Sequence, residues 1–172
     1  MRSKRRSKRK KDKKFLAIFT IFLVILLLVV LYSYSSMKVQ EILETKGFVK
    51  MEVKEVIFGN ESAMVRLRNG CKELDFFVSL DQGSAIEAGL KNFKFYRPMT
   101  HDILVNILKG FEIKPLQARI VKLVENTYYG ELILQKGTKF LVLDVRPSDA
   151  VALALRMNFP IYVNESLVKE VC

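Results

Sequence analysis

The sequence predicts an α+β domain built on a mixed, mostly antiparallel sheet with helices packed on it, preceded by one transmembrane helix. Three observations lead there. Residues Phe15 to Tyr34 read FLAIFTIFLVILLLVVLYSY, with no charge and no proline. From Gly47 onward the apolar pattern alternates between strand-like period 2 and helical spacing. The strand-like runs are joined mainly by short hairpin signals, which favour antiparallel neighbours.

The apolar run is long enough to cross a bilayer, since about 20 residues at ~1.5 Å rise cover a hydrocarbon core of ~30 Å. A cleaved signal peptide would have a shorter apolar region and a small-residue cleavage site. The residues that follow, Ser33-Tyr34-Ser35-Ser36-Met37-Lys38, offer no A-x-A pattern, so an uncleaved anchor is expected. The predicted organisation is a basic cytoplasmic tail over 1–14, a transmembrane helix over 15–34, a linker over 35–46 and a domain over 47–172.

Within the domain, Phe48 to Phe58 alternates apolar and polar residues as a half-buried strand does. Gly59-Asn60 turns it into a second strand over Ala63 to Arg68, and the hairpin signal Asn69-Gly70 leads to a third over Lys72 to Ser79. Gln82 to Lys91 has helical spacing. Thr100 to Lys109 is predicted as an amphipathic helix with Thr100 as N-cap, Gly110 as stop, and Ile103, Leu104, Ile107 and Leu108 as its apolar face. Strands follow over Gln117 to Leu123, Thr127 to Gln135 and Lys139 to Val145. Pro147 opens a helix that Asn158-Phe159-Pro160 ends. A short strand over Ile161 to Val163 and a last helical turn close the chain.

The net charge of +11 is not spread evenly. Residues 1–14 hold ten Lys or Arg against Asp12, a net +9, and the rest of the chain holds 19 against 17, a net +2. High overall basicity is therefore no argument for nucleic-acid binding by the domain. Basic residues beside a span favour the cytoplasmic side and anionic headgroups. That places the N-terminus inside and predicts an extracytoplasmic domain. Cys71 and Cys172 lack metal-ligand spacing; such a compartment would permit a disulfide, but two free thiols are the default reading.

Candidate chemistry sits in two polar clusters that each lead into a helix. One is Arg97-Pro98-Met99-Thr100-His101-Asp102; the other is Asp144-Val145-Arg146-Pro147-Ser148-Asp149, with Arg156 two turns on. Helix starts present unpaired N–H groups suited to anions. Arg97, Arg146 and Arg156 could clamp phosphates in bidentate fashion. Asp102, Asp144 and Asp149 could together hold a divalent cation. His101 is the only histidine, the side chain whose ordinary pKa lies near neutrality. The structural alternatives are capping by Ser148 and Asp149, and salt bridges joining Asp144, Arg146 and Arg156.

At these clusters the chain resembles the bifunctional nuclease domain family. RPMTHDIL, Arg97 to Leu104, is similar to its R-P-x-T-H-D-L-L signature, and TYYGEL, Thr127 to Leu132, to its T-F-Y-A-x-L strand. DVRPSDAVALALR, Asp144 to Arg156, nearly repeats its D-A-R-P-S-D-A-I-A-L-A-L-R, and PIYV, Pro160 to Val163, matches P-I-x-V. The order holds from about Val49 to Val168. The resemblance departs at Asp75-Phe76-Phe77-Val78-Ser79, where many members carry P-I-W-I-G, and in the N-terminal anchor.

What the resemblance implies is nuclease activity on RNA and DNA. Carried onto this chain, His101 becomes general acid or base, with Asp102 and Asp149 beside it as catalytic groups. Asp102, Asp144 and Asp149 become ligands of Mg²⁺ or Mn²⁺, and Arg97, Arg146, Ser148 and Arg156 contact the substrate. Expected partners are nucleic acid, the membrane and a second copy of the chain. The alternative is a non-catalytic ligand- or protein-binding module held at the membrane.

Overall fold

The computed structural model describes the backbone from Arg2 to Cys172 and the side chains from Ile18 onward, Lys38 excepted. The side chains of the basic tail and of Phe15 to Ala17 lie outside the described residues. Two compact units result, Met1–Glu44 and Thr45–Cys172.

The first unit is the helix α1, Arg2–Leu43. Its segment Ile18–Leu43 is 26 residues long and apolar enough to cross a membrane by length and composition. At ~1.5 Å per residue it exceeds a ~30 Å hydrocarbon core. The stretch expected as a linker over 35–46 is thus helical through Leu43.

The second unit runs β1 (Phe48–Phe58), β2 (Ala63–Asn69), β3 (Lys72–Val78), α2 (Leu80–Leu90), α3 (Thr100–Gly110), β4 (Lys114–Val124), β5 (Thr127–Lys136), β6 (Lys139–Val145), α4 (Pro147–Met157), β7 (Ile161–Asn164), a 3₁₀ turn (Glu165–Leu167) and β8 (Lys169–Glu170). The strands form one sheet in the order β6-β5-β4-β7-β1-β2-β3-β8. Only β4 and β7 pair in parallel, which is what the α4 crossover allows; the other neighbours are antiparallel. The predicted mixed, mostly antiparallel α+β fold is the one observed. The two-residue strand β8 is an addition, too short to show period 2.

Alternation dictates the core. Met51 and Val53 of β1, Val65 and Leu67 of β2, Leu74 and Phe76 of β3, and Ile161 and Val163 of β7 all bury into one cluster with Ile86 of α2 and Val151 of α4. A second cluster joins Val105 and Leu108 of α3 to Leu132 and Leu134 of β5 and Leu153 of α4. On the first cluster α2 lies close to the sheet. A Cβ added to Gly83 would fall 2.5 Å from the Ala63 Cβ, so only glycine fits there. A capping box starts this helix: Ser79 Oγ accepts from the Gln82 amide at 3.3 Å, and Gln82 Oε1 accepts from the Ser79 amide at 3.0 Å.

The helix α3 departs from its predicted amphipathic face. It buries Val105 and Leu108, whereas Ile103, Leu104 and Ile107 are exposed. The reason is what it packs on: α3 rests chiefly on the flank of α4, so a narrow stripe is covered instead of a wide one. Its N-cap is Met99, with Thr100 as first helical residue, and the helix continues through Gly110 to a cap at Phe111.

Cys71 and Cys172 are joined in a disulfide across 101 residues of sequence, Cα to Cα 5.1 Å. This replaces the free-thiol default. It ties the end of the chain to the β2–β3 hairpin, where Val171 N–H also donates to the Cys71 carbonyl at 2.8 Å. Replacing Cys71 by Ser is expected to cost about 2–4 kcal/mol, as loss of a long-loop crosslink does. Thermal unfolding with and without reductant checks this, and an unchanged midpoint would show that the bond contributes nothing.

Candidate functional site

The site is assembled by two helical stripes that face each other. On α3, His101, Val105 and Leu108 follow the i, i+4, i+7 spacing, so the stripe that buries Val105 and Leu108 also turns His101 toward α4. On α4, Asp149 and Arg156 stand seven residues apart on one side of the helix. The result is two cross-links. His101 Nε2 lies 3.2 Å from Asp149 Oδ1, and Arg156 Nε donates to Asp102 Oδ1 at 2.9 Å.

The chain enters α4 through Arg146-Pro147, where the proline needs no N–H partner and the Ala150 amide donates to the Arg146 carbonyl at 3.2 Å. Arg146 folds back onto the first turn: its Nε donates to Asp149 Oδ2 at 2.7 Å and its Nη2 to Asp149 Oδ1 at 3.2 Å. This carboxylate holds the Arg146 guanidinium pKa above its ordinary value. Asp149 therefore sits between a cation and an imidazole, forming a His101–Asp149–Arg146 relay. If Nε2 carries the proton toward Asp149, Nδ1 is left as the accepting nitrogen of the ring.

Arg156 is the deepest charge of the set, its side chain 9% exposed against 35% for Asp102. Besides Asp102 it binds two carbonyls, Ala85 at 2.8 Å and Ala152 at 3.0 Å, through Nη1. It can reach Ala85 because α2 passes close at Gly89, where an added Cβ would meet Arg156 Nη1 at 3.0 Å. Asp102 Oδ2 also accepts from the Met99 amide at 3.0 Å. Burial would raise the Asp102 pKa, but the Met99 amide and the Arg156 guanidinium outweigh it, and the carboxyl stays below its ordinary 3.8.

Over these residues opens a cleft of about 480 Å³, lined by His101, Asp149, Arg146 and Arg156 together with Asp81, Gln82, Phe95 and Met99. Sequence reasoning placed the first four and missed the wall supplied by the start of α2 and by Phe95. A glycine inside a helix, Gly89, was the available signal that another element comes close.

Three predicted site residues stand elsewhere. Asp144 is exposed on β6. Its neighbours Leu143 and Val145 pack toward the helices, so strand alternation sends Asp144 to the other face of the sheet, opposite Glu131. Ser148 is 4% exposed, packed into the core at the start of α4, and offers no free surface to a substrate. Arg97 is exposed in the loop before α3. The predicted three-carboxylate cation site is not assembled: among the described residues no three His, Cys, Asp or Glu side chains are grouped to hold a metal ion. Asp102 and Asp149 each face an arginine.

The fold and the cleft together define an α+β domain with a histidine-containing site, lined by paired arginines and carboxylates, between two helix starts. Residues 64–172 match the family model described as the bifunctional nuclease domain, and the chain belongs to that family. An uncharacterized protein of Mycobacterium tuberculosis is 33% identical over 107 residues, 62% of this chain and 63% of that protein. Bifunctional nuclease 2 of Oryza sativa subsp. japonica and bifunctional nuclease 1 of Arabidopsis thaliana are each 31% identical over 110 residues, 60% of this chain and 33% of theirs. The match spans less than two thirds of the length of these relatives.

The direction of the Asp102 shift sets an acid-side prediction. A carboxyl with a folded pKa below its unfolded value adds stability that is complete above about 3.8 and is lost as pH falls through the folded value. Below about pH 4, therefore, the wild type should lose stability more steeply than Asp102→Asn, as read by denaturant midpoints at pH 3 and pH 6. Parallel slopes would mean that Asp102 has no linkage to folding.

Proposed function

We propose that this protein is a nuclease that hydrolyses phosphodiester bonds in RNA or DNA, with its reacting groups in the His101–Asp149 cleft. The observation that carries the reading is the relay itself. A half-buried imidazole is oriented by a carboxylate, which an arginine also holds by two hydrogen bonds, at the edge of an open cleft. That is the arrangement a general acid–base catalyst needs. Family membership and the relatives named as bifunctional nucleases support the same chemistry.

In this reading His101 takes a proton from the attacking water, or gives one to the leaving oxygen. Asp149 positions the ring through its contact with Nε2. Arg146, largely exposed, offers its remaining N–H groups to the phosphate, where a fixed positive charge favours the developing negative charge. Asp102 and Arg156 act as positioning residues, since they bond each other and, through the Met99 amide and the Ala85 and Ala152 carbonyls, the backbone. No step is assigned to the Mg²⁺ or Mn²⁺ expected from the sequence, because Asp144 stands on the opposite sheet face and Asp102 and Asp149 are each paired with an arginine. A binding module without catalysis is favoured by one observation, the closed Asp102–Arg156 pair.

The test is cleavage of RNA and DNA by the full chain in detergent, with and without Mg²⁺ or Mn²⁺. His101→Ala is expected to lower the rate by about 10²–10⁴, the usual contribution of a positioned acid or base, and Asp149→Asn by a comparable amount. An active protein indifferent to both changes would move the chemistry elsewhere. A wild type with no activity on either polymer would favour the binding module.

The domain is read as extracytoplasmic and tethered by α1. The basic residues before the apolar segment support this, and so does the Cys71–Cys172 disulfide, which suits an oxidising compartment. Protease added to intact cells should digest the domain. Full protection until the membrane is opened would reverse the orientation.

A further inference from the structure

The loop joining α2 to α3, Lys91-Asn92-Phe93-Lys94-Phe95-Tyr96-Arg97-Pro98-Met99, is exposed along its whole length. It holds three aromatic rings that the core does not use. Tyr96 is 100% exposed and Phe93 59%, while Phe95, 42% exposed, meets Phe93 edge to face with centroids 5.0 Å apart. Rings left in water in this number cost the folded chain apolar burial and mark a surface that is covered in use.

Cations alternate with these rings, and the loop contains no acid. Lys91 is tied to Glu87 at 2.6 Å, whereas neither Lys94 nor Arg97 forms an ion pair among the described residues. In a domain whose overall charge is close to zero, this segment is locally basic. Its place matters as well. Phe95 lines the His101–Asp149 cleft and also a neighbouring cavity of about 440 Å³, which Phe93, Lys94, Tyr96 and Lys109 border. Arg156 lines both.

We propose that loop 91–99 is a stacking clamp that selects single-stranded nucleic acid and leads it to the cleft. This rests on the phosphodiesterase reading and names the substrate class. A single strand exposes the faces of its bases, and aromatic rings take them with little regard to sequence, while interleaved cations follow the phosphates. In a duplex the bases are stacked on one another, so the rings have no partner and only the phosphate contacts remain. A bilayer surface also accepts rings and cations, but the continuity of this loop with the cleft favours a strand.

The experiment is fluorescence anisotropy with labelled oligothymidylate, oligouridylate and a duplex of matched length. The protein is the full chain in detergent carrying His101→Ala, so that the probes are not cut. Adding Phe93→Ala and Tyr96→Ala should weaken single-strand binding at least about tenfold, as loss of base–aromatic stacking does, and leave duplex binding within about twofold. Lys94→Ala should reduce the salt slope for single strands by about 0.7. Thermal midpoints confirm that the variants are folded. Equal affinity for duplex and single strand before the loop is changed would overturn the clamp. So would single-strand affinity that survives removal of both rings, whether or not the rings then prove to mediate self-association or binding to anionic vesicles. The readout is binding, so loop-dependent capture by a protein whose unmutated form cuts nothing would leave the clamp standing while the cleft chemistry fails.

Discussion

The site depends on the Arg156 guanidinium. It sits 9% exposed and spends its N–H groups on the Asp102 carboxylate and on the carbonyls of Ala85 and Ala152. One side chain thereby joins α2, α3 and α4. A buried cation costs several kcal/mol of lost hydration unless its partners are well aligned. Here a carboxylate and two carbonyls meet it, and no buried side-chain polar atom among the described residues lacks a partner. Without that anchor α3 would rest on little more than Val105 and Leu108, too narrow an apolar stripe to orient a helix start.

The helix start is what matters chemically. Because Arg156 and Asp102 hold α3 in register on α4, His101 arrives beside Asp149 one residue earlier in the chain. The two acidic residues then have different tasks. Asp102 is consumed in the clamp, its carboxyl held low by the Met99 amide and Arg156 against the effect of burial. Asp149 faces the cleft and shares its oxygens between a ring nitrogen and an exposed arginine. A histidine placed in this way can move a proton, whereas the clamp pair cannot do so without loosening three helices.

The sheet serves the site from below. The parallel β4–β7 pair brings both ends of the α4 crossover onto the same sheet, so α4 is buried along its length, with Pro147, Ser148 and Ala150 to Ala154 all covered. That burial makes α4 the rigid half of the site. The half formed by α3 and the preceding loop is exposed and aromatic, a surface available to a ligand. The disulfide acts far from the cleft, at the β2–β3 hairpin, and bears on the stability of the domain.

Much of this was determined by local sequence. Period-2 runs specified the strands, Gly59-Asn60 and Asn69-Gly70 the turns between the first three, and Pro147 the start of α4, because each reflects a backbone preference that acts within a few residues. The two polar clusters were also legible as helix starts. What local sequence could not assign was the partner of each charge. Asp144 and Asp149 are five residues apart in one motif, yet strand alternation sends the first to the opposite sheet face and the helix turns the second into the cleft. The apolar face of α3 was misjudged for a related reason: periodicity shows which residues lie together on a helix, while the neighbour decides which of them are covered. Tertiary structure alone determined that Cys71 meets Cys172, that Ser148 is buried, and that His101 meets Asp149. Each of these depends on packing between segments distant in the chain, where the free energy comes from burial and charge pairing that no local pattern records.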